Sequence, residues 1–170
     1  MKAKLIVEGK EFDIEILDPK LQELIAPTKK TGYERGDYNE LYYIENIGGV
    51  QGFSDWGKNV DEMAYASANY YSDKTVAENN ARADKLMRQL RRFAVEHREK
   101  KFNWDDYIFP KYYIGYCYDH STLTIECCFD NLMNKTFGVI YFDSNKTAKL
   151  AIETFRDELL WYFTEYKDSL

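Results

Sequence analysis

Two kinds of hydrophobic spacing alternate along the chain. From Ala3 to Ile16 apolar residues occupy every second position on either side of Gly9-Lys10, the pattern of a β-hairpin. Pairing across that turn sets Leu5 opposite Ile14 and Val7 opposite Phe12, with Ala3 and Ile16 on the same face. Asp18-Pro19 reads as a helix cap and first helical position, and Leu21, Leu24 and Ile25 supply a short helix to cover that face. Residues 1–25 are thus expected to form a ββα unit, too small to be stable by itself. Residues 26–40 carry no periodicity and hold Pro27, Gly32 and Gly36, which marks a linker or long loop.

The remainder, 41–170, reads as the main domain. Leu41–Asn46 is a strand, a weaker one follows around Val50–Phe53 beyond Gly48-Gly49, and residues 54–68 are expected to be irregular. A long helix is predicted over 73–100, with Val76, Ala83, Leu86, Met87, Leu90, Phe93 and Ala94 along one side. Tyr112–Tyr118 and Leu123–Phe129 form a second hairpin, in the register Ile114–Cys127, Tyr116–Ile125 and Tyr118–Leu123. Thr136–Phe142 is the next expected strand. A helix from about 145 to 166 closes the chain, burying Ala148, Ala151, Ile152, Phe155, Leu159, Tyr162 and Phe163.

The two halves of this domain echo each other. Ser72-Asp73-Lys74-Thr75 recurs as Ser144-Asn145-Lys146-Thr147, 72 residues on, and Tyr42-Tyr43-Ile44 recurs as Tyr112-Tyr113-Ile114, 70 residues on. Each tetrad follows aromatic residues and opens a predicted helix. Either a strands-then-helix unit is duplicated (41–101 and 111–166), or two strand-to-helix junctions share one capping solution. Both readings give an α+β fold of antiparallel strands with helices on one face.

Charge alters this picture in one place. Between Arg82 and Lys101 there are eight Lys and Arg against three acidic residues, a net of +5, so the rest of a chain with net charge −6 sums to −11. An acidic chain is a poor general ligand for nucleic acid, yet Arg82, Lys85, Arg88, Arg91, Arg92 and Arg98 lie on one helix and offer a phosphate-tracking stripe. The alternative is a solvated face neutralised by the chain's own carboxylates. Fifteen tyrosines suit a half-buried sheet or a recognition surface equally well. No run reaches the roughly 20 apolar residues of a membrane span, and no apolar leader segment opens the chain, so a cytoplasmic protein is expected.

Catalytic chemistry is weakly represented. Cys117, His120, Cys127 and Cys128 lack zinc-ligand spacing, and the expected register sets Cys117 opposite Thr124, away from Cys127. His97 and His120 have no triad partners nearby, and Gly48-Gly49 lies between strands instead of before a helix. The pairs Asp61-Glu62 and Asp105-Asp106 read as solvated loop carboxylates. No enzyme, metal or cofactor is expected.

The runs TGYERGDYNELYYIENIGGV, NYYSDKTVAENNARADKLMRQLRRFAVEH, WDDYIFPKYYIGYCYD and GVIYFDSNKTAKLAIE resemble small proteins encoded by phages and prophages of low-GC Gram-positive bacteria, over about residues 28–160. That group includes anti-defence factors, among them anti-CRISPR proteins. The resemblance implies a non-enzymatic inhibitor of a host defence complex such as a type II CRISPR RNA-guided nuclease, whose basic channel would accept an acidic, tyrosine-rich protein. Asp61, Glu62, Asp105, Asp106, Asp119 and Glu126 are the expected contact carboxylates, with Trp56 and Trp104 as anchors. The alternative function is a nucleic-acid-binding accessory protein using the basic helix. A third possibility is an oligomer in which residues 1–25 dock on a neighbour.

Overall fold

A computed structural model describes residues 2–7, 10–15, 17, 30–46, 49–106, 108–128 and 135–167 of the 170-residue chain. The chain divides into two units, Met1–Thr31 and Gly32–Leu170. In the first, β1 (Lys2–Val7) and β2 (Lys10–Glu15) form an antiparallel hairpin with Leu5 opposite Phe12 and Ala3 opposite Ile14. The expected register is therefore corrected by two residues: pairing runs on to Val7–Lys10. The short helix expected over 19–25 lies outside the described residues.

The second unit is α+β. Its order is β3 (Leu41–Asn46), β4 (Gly49–Ser54), α1 (Asn59–Ala66), α2 (Lys74–Glu96), β5 (Lys111–Cys117), β6 (Thr122–Cys128), α3 (Asn145–Thr154) and α4 (Arg156–Thr164). β3 pairs with β4 and β5 with β6, both antiparallel. α2 packs on β3 and β4, α3 packs on β5 and β6, and the helices meet each other. From Gly32 onward the expected linker belongs to this unit. The Gly32 carbonyl accepts from Ser72 N–H at 2.8 Å, and Gly32 itself sits at φ +90° with no room for a Cβ beside Val76.

The two strand-to-helix junctions match in their backbone hydrogen bonds. Tyr43 and Tyr71 exchange two, at 2.8 and 2.9 Å, and Tyr112 and Phe142 exchange two, at 3.1 and 2.7 Å. Two residues beyond each bridge stands the helix cap. Asp73 Oδ1 accepts from Val76 N–H at 2.9 Å, and Ser144 Oγ accepts from Thr147 N–H at 3.1 Å. Each such cap stabilises its helix by about 1 kcal/mol. Ala77 and Ala148, four residues past the caps, are both fully buried. The structural offset at the junction is therefore 71, one less than the tetrad match suggests, because Asp73 and not Ser72 is the counterpart of Ser144. Two hairpin-bridge-helix units share a core built from Leu86, Leu90 and Phe93 of α2 against Phe142, Ala148, Ala151 and Leu159.

Four expectations for this unit are corrected. Residues 54–68 contain α1, because Asp61 reaches back to the Lys58 N–H and closes the first turn. Thr136–Phe142 is no strand: Gly138 turns at φ +81° and only Phe142 pairs. The last helix breaks at Phe155 (φ −115°, ψ 21°), whose ring meets Phe93 edge-on at 5.5 Å. The second hairpin is shifted by two, with Ile114 opposite Ile125 and Cys117 opposite Thr122, because the chain turns through Tyr118–Ser121 with Ser121 at φ +48°.

Candidate nucleic-acid interface

The basic helix is divided along its length by what faces it. Arg82 donates to Glu158 twice, at 2.8 and 3.1 Å, while its guanidinium lies 3.9 Å over the Trp161 ring. That contact holds Glu158 below the usual carboxylate range. Arg88 meets Glu45 at 2.7 Å, and Arg92 meets Glu96 at 3.6 Å. Lys85, Arg91 and Arg98 have no acidic partner within 4 Å among the described residues. Half of the predicted stripe is thus neutralised from within, and the rest stays open chiefly toward the helix C-terminus.

The segment after α2 shapes that open end. His97 caps the helix, its ring stacked on Phe93 at 3.9 Å and its Nδ1 3.0 Å from Phe93 O. The chain is then caught by Asp143, buried at the mouth of α3, which accepts from the Glu99 and Lys100 N–H groups at 2.6 and 2.7 Å. This fixes how Arg98 and Lys101 leave the surface. Two Asx turns come next, Asn103 accepting from Asp105 N–H and Asp106 from Ile108 N–H, so Asp106 is spent on its own loop.

The loop hangs an aromatic cluster beside those cations. Trp104 meets Tyr141 edge-on at 5.2 Å and Phe102 at 5.6 Å, and Phe102 also touches Phe109. Arg98 lies 4.9 Å over Phe102, and Lys135 lies 4.8 Å over Trp104. The result is an open groove of about 440 Å³, whose charged rim is Arg91, Arg98, Lys101 and Lys135 and whose walls include Trp104 and Tyr141. Close to the Trp104 wall lies Lys111, 1% exposed, donating to the Asp106 and Phe109 carbonyls at 3.1 and 3.0 Å. Its Nζ is 5.4 Å from the Trp104 ring, with no carboxylate within 4 Å among the described residues.

The carboxylates expected to meet a partner do not converge. Asp61 is 5% exposed and accepts from Tyr42 O–H at 2.7 Å, Lys58 N–H at 2.9 Å and Trp56 N–H at 3.0 Å. The Tyr42 bond first, then the backbone donors, hold its carboxyl below the usual range, while burial and Asp61 push the Tyr42 phenol up. Asp55, buried beside it, accepts from Gly57 N–H at 2.8 Å, Tyr70 O–H at 3.1 Å and Arg35 at 3.2 Å, and is lowered by the Gly57 bond above all. Arg35 also reaches the exposed Glu62 at 2.7 Å. Tyr42 and Tyr70 stack in parallel at 4.2 Å between the two carboxylates. This network ties residues 35–40, the β4–α1 connection and α1 together, so Asp61 serves the fold and offers nothing outward.

Of the other expected contacts, Trp56 is 45% exposed with its ring edge-on to the exposed Tyr38 at 5.5 Å. Asp119 is exposed in the β5–β6 turn, Asp105 is exposed beside the basic groove, and Glu126 is opposite Tyr113 in the ladder. Trp104 belongs with the cations and not with the acidic set. Among the described residues no group of His, Cys, Asp and Glu is placed to hold a metal ion, and no helix is long and apolar enough to cross a membrane. The sequence reading missed Lys135, Lys111, Phe102 and Tyr141. One local signal was available: Lys100-Lys101-Phe102-Asn103-Trp104 sets aromatic residues directly after paired cations. Comparison with family models, with curated proteins and with solved structures finds no match to this chain.

Proposed function

We propose that this is a non-enzymatic nucleic-acid-binding accessory protein, of the kind phages encode, which holds its ligand at the C-terminal end of α2. One observation carries the reading. Arg91, Arg98, Lys101 and Lys135 surround an aromatic-walled groove without acidic partners within 4 Å among the described residues, in a chain with enough carboxylate to neutralise its other arginines. Evenly spread counter-charge would have covered this end as it covers Arg82 and Arg88. Four phosphate contacts on a single strand give a log K against log [salt] slope of about −3. Fluorescence anisotropy of a labelled oligonucleotide between 20 and 200 mM salt checks it; no binding at the low end removes the reading.

A second reading rests on a different surface, that of an inhibitor docking on a basic protein such as the nucleic-acid channel of an RNA-guided nuclease. Tyr38, Trp56, Val60 and Met63 are all exposed in a stretch, Glu34–Ser67, whose exposed charged residues are the carboxylates Asp37, Glu40 and Glu62 and the single cation Lys58. Exposed aromatic residues in an acidic surround suit a basic partner. In a cleavage assay with a purified type II effector, the wild-type chain should inhibit, and Tyr38→Ala with Trp56→Ala should relieve inhibition at least tenfold. Absence of inhibition across a panel of effectors removes this second reading and leaves the first standing.

A further inference from the structure

The shape of the groove narrows the ligand class, an inference that rests on the nucleic-acid reading above. Trp104 is half-buried, in a T-shaped contact with Tyr141 at 5.2 Å, flanked by Phe102 and with Lys135 4.8 Å over its ring, so the indole is packed on several sides. Aromatic rings bind bases through their faces. A duplex keeps those faces stacked inside and presents only base edges and phosphates. A groove of about 440 Å³ has the capacity of a small-ligand site, enough for one nucleotide and far too little for a double helix.

The charges agree with one nucleotide and its neighbouring phosphates. Arg91 lies in the last two turns of α2 and Arg98 just beyond its end, and Lys101 and Lys135 complete the rim. The Lys111 ammonium, 5.4 Å from the Trp104 ring, is buried with two carbonyl acceptors and no counter-ion within 4 Å among the described residues. At the matching point of the first junction, one residue before the bridging tyrosine, stands Tyr42, equally buried but bonded to Asp61. The second junction thus carries a buried cation where the first carries a neutral phenol on a carboxylate. An uncompensated buried charge is unfavourable for folding, and its field here adds to the four rim cations.

We infer that the groove takes one unpaired nucleotide, its base against Trp104 and its flanking phosphates on Arg91, Arg98, Lys101 and Lys135. The protein accordingly binds single strands, and frayed or flipped positions, in preference to paired duplex. The test uses the full chain in anisotropy titrations of a labelled 15-residue oligo(dT) and of the same strand paired blunt-ended with oligo(dA), at 50 mM salt. The single strand should bind at least tenfold more tightly. Trp104→Ala should lower single-strand affinity about tenfold, and Trp104→Phe should restore most of it. Equal affinity of the wild-type chain for both forms overturns the single-strand assignment while the nucleic-acid reading stands, and needs no variant to fold. Binding of neither form overturns both.

Discussion

Asp55→Ala should lower the thermal unfolding midpoint by about 6–20 °C, the largest stability effect expected from any single loop carboxylate among the described residues. Asp55 is 2% exposed and binds three donors: a backbone N–H, a phenol and the Arg35 guanidinium. Removing it leaves Arg35 without its inner partner and the Tyr70 hydroxyl buried with one bond fewer, a loss of roughly 3–5 kcal/mol. Glu62→Ala is the control, since that carboxylate is exposed and its bond to Arg35 should contribute under about 1 kcal/mol. The same network sets an acid limit. Asp55 and Asp61 are both held below the ordinary carboxylate value when folded, so their contribution is complete above the unfolded value near 3.8 and is lost as pH falls through the folded values. Wild-type stability should therefore drop steeply below about pH 4. Asp55→Ala, having already lost one of these groups, should show a shallower fall, measured by urea midpoints across pH 3–6. An equal slope in both proteins would show that Asp55 is not a linked group.

The network was hidden from the sequence for a physical reason. Asp55-Trp56-Gly57 and Asp61-Glu62 look like solvated loop residues because their partners, Arg35, Tyr42 and Tyr70, lie between 15 and 20 positions away in the chain. Buried carboxylates satisfied by backbone N–H groups leave no periodic trace. The same holds for α1, whose start depends on Asp61 reaching backward and not on a side chain at the cap itself. By contrast, α2 was legible almost residue by residue. Its apolar stripe and its Asp73 cap are local features, and six of the seven residues expected on its inner side are buried, Met87 being half-buried.

Registers were readable to the right face but not to the right pair. Both hairpins with expected pairings are shifted by two, which keeps every residue's side of the ladder and changes only its neighbour. Turn length decides that shift, and Tyr118–Ser121 accepts more than one turn. The likeness of the two strand-to-helix junctions was legible as order and spacing. Its true offset was not, because a serine and an aspartate cap a helix equally well and only the backbone bond shows which one does so. The groove lay furthest from the sequence. It takes α2, residues 98–104, Lys135 and Tyr141 to build it, and Tyr141 comes from a stretch whose alternation suggested a strand.

Reversing Arg91 and Arg98 to Glu should weaken oligonucleotide binding at least a hundredfold at 50 mM salt, while reversing Arg88 and Arg92 should change it less than about threefold. The two double variants alter net charge equally, from −6 to −10, so any difference between them is positional. Arg88 and Arg92 are already occupied by Glu45 and Glu96, whereas Arg91 and Arg98 face the groove. Each lost charge-assisted phosphate contact removes about 1.4 kcal/mol or more, and two such losses multiply to a hundredfold. The salt slope should also fall by about 1.4 in the groove variant, as expected for two phosphates on a single strand, and stay put in the control. All four arginines are exposed, so circular dichroism and the unfolding midpoint should change little in either variant. Equal losses in both variants would mean that phosphates run along the whole helix and that the groove has no privileged part in binding. A loss confined to Arg91 and Arg98 ties the ligand to the one end of the helix that the protein's own carboxylates leave open.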